Sequence, residues 1–463
     1  MGGGQNRTSG RASGRTSGEG GEPCDGTTAD DDVLDLVGRL AGLLVAGGYE
    51  GTLRAEERLR AVAAAYGREA EVTVLADSAV VTVGGATRVV AHAPDVPVLA
   101  RVSELKPWLA EVATGRVPAG EARRRLERIA AAPHPYGPWL RLLGVVLFSV
   151  GFGVSIQPTW QEVWMTALLG LVVGALHVGG QVTGRPGWLA PLAASGIVGT
   201  VVLVAAREGW VTGGTIELMI PVLFVFIPGD AITMAMVELS VGRITAGAAR
   251  LAQSLALLGA LAFGPVLAAA ALGMDQSEIF DEPVAPELGA FAGWFAWVVF
   301  TVGVMLVFGM RAKDLPWSLA LVLVTYGTQL LTVRALGTLA GTFAAAAVMA
   351  AICLLLGRRP GAPPPYVLYL AAFFVLTPGS HGLRGMDAWL GGDPVRGVQD
   401  VAGMFGLIAA IALGMLAAAV TVGTQTTQTT QDTQTTRATQ TARAAPSAPS
   451  TPSPERPNEP TRP

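Results

Sequence analysis

Phe224-Val225-Phe226-Ile227-Pro228-Gly229-Asp230 is answered 150 residues later by Phe374-Val375-Leu376-Thr377-Pro378-Gly379-Ser380. The match runs without a gap from Phe224–Gly264 onto Phe374–Gly414, with twelve identities in 41 positions. Ala and Leu identities carry little weight in apolar sequence. The weight rests on Pro228-Gly229 with Pro378-Gly379, and on Gly242, Gly247 and Gly264 with Gly392, Gly397 and Gly414. The chain therefore reads as two related halves.

Working outward, each half holds a series of apolar runs of helix-spanning length. In the first half they are Trp139–Ile156, Val163–Gly179, Trp188–Ala206, Val211–Ile227 and Leu251–Leu272. In the second they are Leu288–Met310, Leu315–Leu331, Leu336–Leu356, Tyr366–Thr377 and Val401–Val422. With 51% hydrophobic and only 14% charged residues, against about a quarter charged in an ordinary globular domain, the chain needs lipid. The predicted fold is a polytopic α-helical membrane protein with about ten transmembrane helices and a small N-terminal cytoplasmic α+β domain. Five helices per half is an odd number, so the second half enters the membrane from the opposite side. The result is a pair of inverted repeats, an arrangement typical of secondary transporters.

The polar ends divide further. Residues 1–32 are Gly, Ser, Thr and Arg without an apolar core, which predicts a disordered leader and no cleavable signal peptide. Residues 33–137 read as the α+β domain. Val33, Leu36, Val37, Leu40 and Leu44 mark a helix that stops at Gly47-Gly48, and Leu53–Tyr66 marks a second. Glu71–Leu75, Ala79–Val83 and Thr87–His92 read as strands, and Trp108–Thr114 and Ala119–Ile129 as two more helices. The repeats occupy 138–273 and 288–422, and the Thr/Gln/Pro-rich residues 423–463 read as a disordered tail. With an inside start, the inside loops hold Arg185, Arg243, Arg250, Arg311, Lys313, Arg358 and Arg359, and the outside loops Arg207, Arg334, Arg384 and Arg396. That bias predicts a multi-pass protein of a bacterial plasma membrane with both termini in the cytoplasm.

Short or Pro-interrupted segments at matching places in two halves point to a transport site. Pro228, Gly229 and Asp230, with Pro378, Gly379 and Ser380, are thus the candidate substrate-binding breaks, where freed backbone groups would face a small zwitterion; the plainer reading makes them surface turns. Carboxylates in hydrocarbon are costly and functional by default. Glu217, one helical turn before Pro221 and about a third of the way into its run, is the first candidate for proton coupling, with Asp230 and Asp387 behind it. The plainer reading puts Glu217 at a helix start in the headgroup zone. His177 reads as a packed or interfacial residue.

The composition also excludes functions. A net charge of −3 with no basic face gives no reason to expect nucleic acid. Cys24 and Cys353 lie too far apart in character for a shared disulfide, and no metal-ligand spacing, cofactor motif, phosphate loop or nucleophile with its base is visible. The chain is not expected to be an enzyme or to need a cofactor or metal. Its expected partners are a small polar solute, protons and the lipid bilayer, and a homo-oligomer is compatible with this. A membrane-anchored metabolite sensor is the non-transport alternative, though a sensor has no use for paired repeats.

Across residues 33–422 the chain resembles the bacterial threonine/serine exporter family. The resemblance is carried by Thr52-Leu53-Arg54-Ala55-Glu56-Glu57 leading to Gly67, by Ile227-Pro228-Gly229-Asp230-Ala231-Ile232-Thr233 with Gly242, Gly247, Ala249 and Arg250, and by Thr377-Pro378-Gly379-Ser380 with Gly382, Arg384 and Gly385. It implies a ten-helix, proton-driven exporter of threonine and serine with a cytoplasmic amino-terminal domain. Superfamily relatives linked to dicarboxylate (succinate) export make that substrate class the alternative.

Overall fold

The computed structural model of the chain describes residues 25–48, 50–92, 98–157, 159–183, 189–211, 215–274, 288–289, 291–359, 361–376, 381–385, 388 and 394–444. The amino-terminal part is α+β. Helix α1 (Asp25–Gly47) buries Val33, Leu36, Val37, Leu40 and Leu44, one face of a 3.6-residue period, against a three-stranded antiparallel sheet. Strands β1 (Ala70–Val74), β2 (Ser78–Val83) and β3 (Ala86–Ala91) lie in that order, with Val72 opposite Val81 and Val80 opposite Val89. The central strand alternates, burying Ala79, Val81 and Val83 under α1. Helix α2 (Thr52–Ala65) packs on β1, and α4 (Ala119–Ala131) lies against α1 and α3 (Leu99–Val112).

Three stretches differ from the sequence reading for identifiable reasons. Helix α3 spans Leu99–Val112 rather than starting at Trp108, because buried Leu99, Val102, Leu105 and Trp108 carry it through Pro107. Packing here overrides the local cost of proline. Helix α1 begins at Asp25, inside the stretch read as leader, and an ion pair from Asp30 to Arg68 (2.6 Å) ties its first turns to the rest of the domain. The last helix, α15 (Pro394–Ala444), runs on through the Thr/Gln stretch read as a tail.

Asp35 of α1 is the polar hub of this part, paired with Arg39 (3.0 Å), Arg123 (2.9 Å) and Arg88. Burial pushes its carboxyl up, but the three guanidinium groups outweigh this and hold it down at about 2, below its ordinary 3.8. A depressed carboxyl stabilises the fold above its unfolded value and loses that contribution as pH falls through the folded one. Hydrogen exchange of the β2 and β3 amides should therefore speed up between about pH 4 and about pH 2. Asp35→Asn should remove that dependence and speed exchange at neutral pH.

The remainder is a polytopic helical membrane protein. Seven described helices are long and apolar enough to span: α5 (Pro138–Ile156), α6 (Trp160–Thr183), α7 (Leu189–Arg207), α10 (Ile244–Leu272), α12 (Leu315–Leu336), α13 (Thr338–Gly357) and the Pro394–Val422 part of α15. Thr215–Phe226 and Gly229–Ser240, bent by 67° at their junction, form an eighth if taken as one span. Ala292–Phe308 (α11) and Pro365–Leu376 are apolar but shorter. No spanning stretch is more than 44% buried within the protein, so its outer apolar face has lipid as its solvent. Trp139 (83% exposed), Trp160 (61%) and Trp210 (64%) stand at helix ends, the headgroup level where indoles settle.

The repeat is visible in the elements. Helix α8 (Thr215–Leu223) runs into a 3-10 turn, Phe224–Phe226, and α14 (Pro365–Phe373) into Phe374–Leu376, each unit displaced by 150 residues. Helix α10 meets α7 where a Cβ on Gly264 would strike Gly196 N at 2.5 Å, and α15 meets α13 where one on Gly414 would strike Phe343 O at 2.5 Å.

Candidate functional site

The two halves meet along α5 and α11. Gly144 lies under Leu306, where a Cβ would come within 2.6 Å of the Leu306 Cβ. Further along, Gly303 lies against the Phe148 backbone and Gly151 against the Phe300 backbone, each closer than any side chain allows. As numbers rise on α5 they fall on α11, so the helices are antiparallel. The contact is also reciprocal: the glycine of each helix receives the phenylalanine of the other. A local two-fold axis between the helices would produce such a reciprocal contact.

Four phenylalanines surround this axis. Phe148 and Phe300 are 4.6 Å apart between ring centroids, and Phe224 and Phe374 are 5.3 Å apart. Phe374 also touches Phe148 (5.4 Å) and Phe300 (5.7 Å). Phe224 and Phe374 begin the two 3-10 turns, so each broken helix delivers one ring to a common apolar plug.

One polar cluster joins α8, the end of α5 and the helical turn 381–385. Glu217 sits in the first turn of α8 as described, Thr215–Leu223. Its carboxylate is 3.9 Å from Arg384 of the helical turn 381–385, and its backbone carbonyl accepts from Gln157 Nε2 at 3.4 Å. Gln157, buried at the end of α5, also donates to Thr166 (2.6 Å). Glu162 is buried nearby in sequence and caps its helix by accepting from Thr159 N (3.2 Å) and Oγ1 (3.0 Å).

The second cluster forms at the first-half break. Pro228 separates the 3-10 turn from α9 (Gly229–Ser240), where buried Gly229 starts the helix. Asp230 follows in the first turn, half-buried, and accepts from the Ala231 amide and the Tyr366 hydroxyl. A carboxylate suits this place because a helix start carries partial positive charge. Tyr366 and Tyr369 come from α14 of the other half, each 8% exposed, with rings 6.2 Å apart. Among the described residues, the Tyr369 hydroxyl is buried without a hydrogen-bond partner, a costly state that a polar ligand or water relieves.

The first-half candidates Pro228, Gly229 and Asp230 are thus brought together, and Glu217 lies at a separate polar cluster. Pro378, Gly379, Ser380 and Asp387 lie outside the described residues. Tyr366, Tyr369, the Arg384 pairing and the four phenylalanines were not found from sequence; only Phe224 and Phe374, which open the repeat, carried a readable signal. His177 packs on the Phe226 ring (5.5 Å between centroids) and reaches Gln181 (3.1 Å). Cys353 is buried on α13. Among the described residues, no three His, Cys, Asp or Glu side chains gather to hold a metal.

Residues 35–273 match the sequence model of a family described as "Putative threonine/serine exporter". A curated relative from Mycobacterium tuberculosis (strain ATCC 25618 / H37Rv), named "Probable threonine/serine exporter", is 24% identical over 246 residues. That alignment takes in 50% of this chain and 45% of the relative, so the chain spans about half the length of the curated relative it matches. No solved structure matches the chain.

Proposed function

The chain belongs to the threonine/serine exporter family, and on that premise we propose that it carries threonine and serine out of a bacterial cytoplasm by proton antiport. In this reading the ten apolar segments cross the membrane as two inverted five-helix halves, with both termini cytoplasmic. One observation carries it: the reciprocal, antiparallel crossing of α5 and α11, with Phe224 and Phe374 meeting on the same axis. Two like halves of opposite direction can exchange conformations, so that one central site opens to each side in turn. The phenylalanine plug is the barrier between the sides.

The substrate is a zwitterion with a hydroxyl. Asp230, beside Pro228 and Gly229, supplies an anion for its ammonium group, the Tyr369 hydroxyl awaits its hydroxyl, and Pro378, Gly379 and Ser380 are the second-half candidates for binding it. Glu217 is the proton-coupling group, paired with Arg384 in this state and released from it when the halves move. Asp387 is the reserve candidate for that role.

Counterflow of labelled threonine, serine and succinate in proteoliposomes, with and without an imposed pH gradient, tests the proposal. Threonine and serine should exchange and respond to the gradient. Flux of succinate alone would move the assignment to dicarboxylates, and no flux for any of the three would remove it. Glu217→Gln should keep exchange but lose most of the gradient response, and a full response would dismiss Glu217 as the coupling group.

A further inference from the structure

The amino-terminal α+β part rests on three loops of the membrane part. Ala100 N donates to Gly309 O (2.9 Å), Ser103 Oγ to Asp314 (2.8 Å), and Lys106 Nζ to Arg359 O (2.9 Å) and Ala362 O (2.8 Å). These contacts suffice to anchor it. A third loop receives something different: the turn between α1 and α2, containing Gly48, Gly51 and Thr52, lies on α9, the helix that starts at the Pro228-Gly229 break.

Asp230, Met234 and Glu238 are spaced four apart and share one face of α9. Gly51 and Thr52 lie over its Met234 and Glu238 end. A Cβ on Gly51 would stand 3.5 Å from Met234 Sδ and 3.9 Å from Glu238 Oε1. The Thr52 amide donates to Glu238 Oε1 (3.0 Å), so a membrane-part carboxylate caps α2, which has no side-chain cap of its own. Arg250 of α10 lies 3.3 Å from Glu238 and donates to Gly48 O (3.1 Å) at the carbonyl end of α1. Each helix end is thereby met by the charge that its dipole favours. Arg243 adds a pair with Glu56 at 2.5 Å. Thr52 and Glu56, whose motif had no role beyond resemblance, are both spent on this seam.

We propose that the end of α1 and the start of α2, Gly48 with Gly51 and Thr52, form a gate: seated over Met234 and Glu238 on the face that also carries Asp230, they close the way to Asp230 from the side of the amino-terminal part and lift when that side opens. The proposal rests on the exporter reading and adds a function for the α+β part. A latch of charge-assisted hydrogen bonds suits the role, since water can take over each partner when it opens, whereas an apolar seam would expose surface.

Two measurements on the full chain test it. First, Thr52→Cys with Glu238→Cys in a Cys24→Ser background is bridged by a short, reducible bis-methanethiosulfonate. Bridging should stop threonine counterflow and reduction should restore it; flux at the unbridged rate while bridged overturns the gate. Second, Met234→Cys is labelled in the same background by a membrane-impermeant maleimide. Adding Arg243→Gln, which leaves the groups around Asp230 intact, should raise the labelling rate about tenfold, the factor set by roughly one charge-assisted hydrogen bond. An unchanged rate overturns the gate. The labelling needs no transport, so a parent protein without flux removes the exporter reading while this arm still decides the gate.

Discussion

Asp230→Asn is expected to lower threonine counterflow at least about a hundredfold while the protein stays folded, the scale of losing a charged partner in a site shielded from water. The fold tolerates the change because the asparagine carbonyl still accepts from Tyr366 and from the first amides of α9, which hold the aspartate now. What disappears is the anion, and with it the counter-charge for an ammonium group. Asp230→Glu keeps the charge and should retain part of the flux. The neighbouring hydroxyl gives a finer readout. A site that hydrogen-bonds a substrate hydroxyl penalises analogues lacking one, because its own buried group is then left unpaired. Tyr369→Phe should therefore cut the preference for threonine over valine, and for serine over alanine, by about tenfold. Competition assays in proteoliposomes read both effects, and full flux in Asp230→Asn would move the substrate elsewhere.

The second large effect is on stability. Gly151→Ala and Gly303→Ala should each cost at least the ~1–3 kcal/mol typical of overpacking. The obstacle in both cases is backbone, at Phe300 and Phe148, which cannot rotate away as a side chain could. Helices α5 and α11 must separate, loosening the rings around the axis. Because the contact is reciprocal, the two variants should lose similar amounts in thermal melts in detergent. Gly196→Ala meets nothing within 4 Å and should melt with the parent. A large difference between Gly151→Ala and Gly303→Ala would argue against the local two-fold.

Much of this architecture was legible because it is periodic. The strands appear within a residue or so of their predicted limits, since Val/Thr alternation reports burial on one face directly. The repeat was legible from Pro and Gly, residues whose backbone constraints leave a mark in sequence. Side-chain meetings between elements leave none. Phe148 and Phe300 differ by 152 positions rather than 150, so an ungapped comparison passes over them, although they touch. Arg384 and Glu217 lie in different halves, as do Tyr366 and Asp230, and only the folded pairing of one half with the other brings them together. Local reading failed at Pro107 for the related reason that burial of α3 is decided by partners distant in sequence.

On the inverted-repeat reading proposed above, the glycine–phenylalanine seam of α5 and α11 has an ancestral consequence. A contact that reproduces itself under a two-fold axis can be made by two copies of a single five-helix polypeptide, provided that each copy inserts in the opposite direction. Such a protein would assemble with itself through the same residues. Joining two copies end to end would then free each half to diverge: one could fix arginines at its docking loops and keep Asp230, while the other gained tyrosines to face it. The asymmetry of the present chain, an acid on one side of the axis and Tyr366 and Tyr369 on the other, is what duplication followed by specialisation produces.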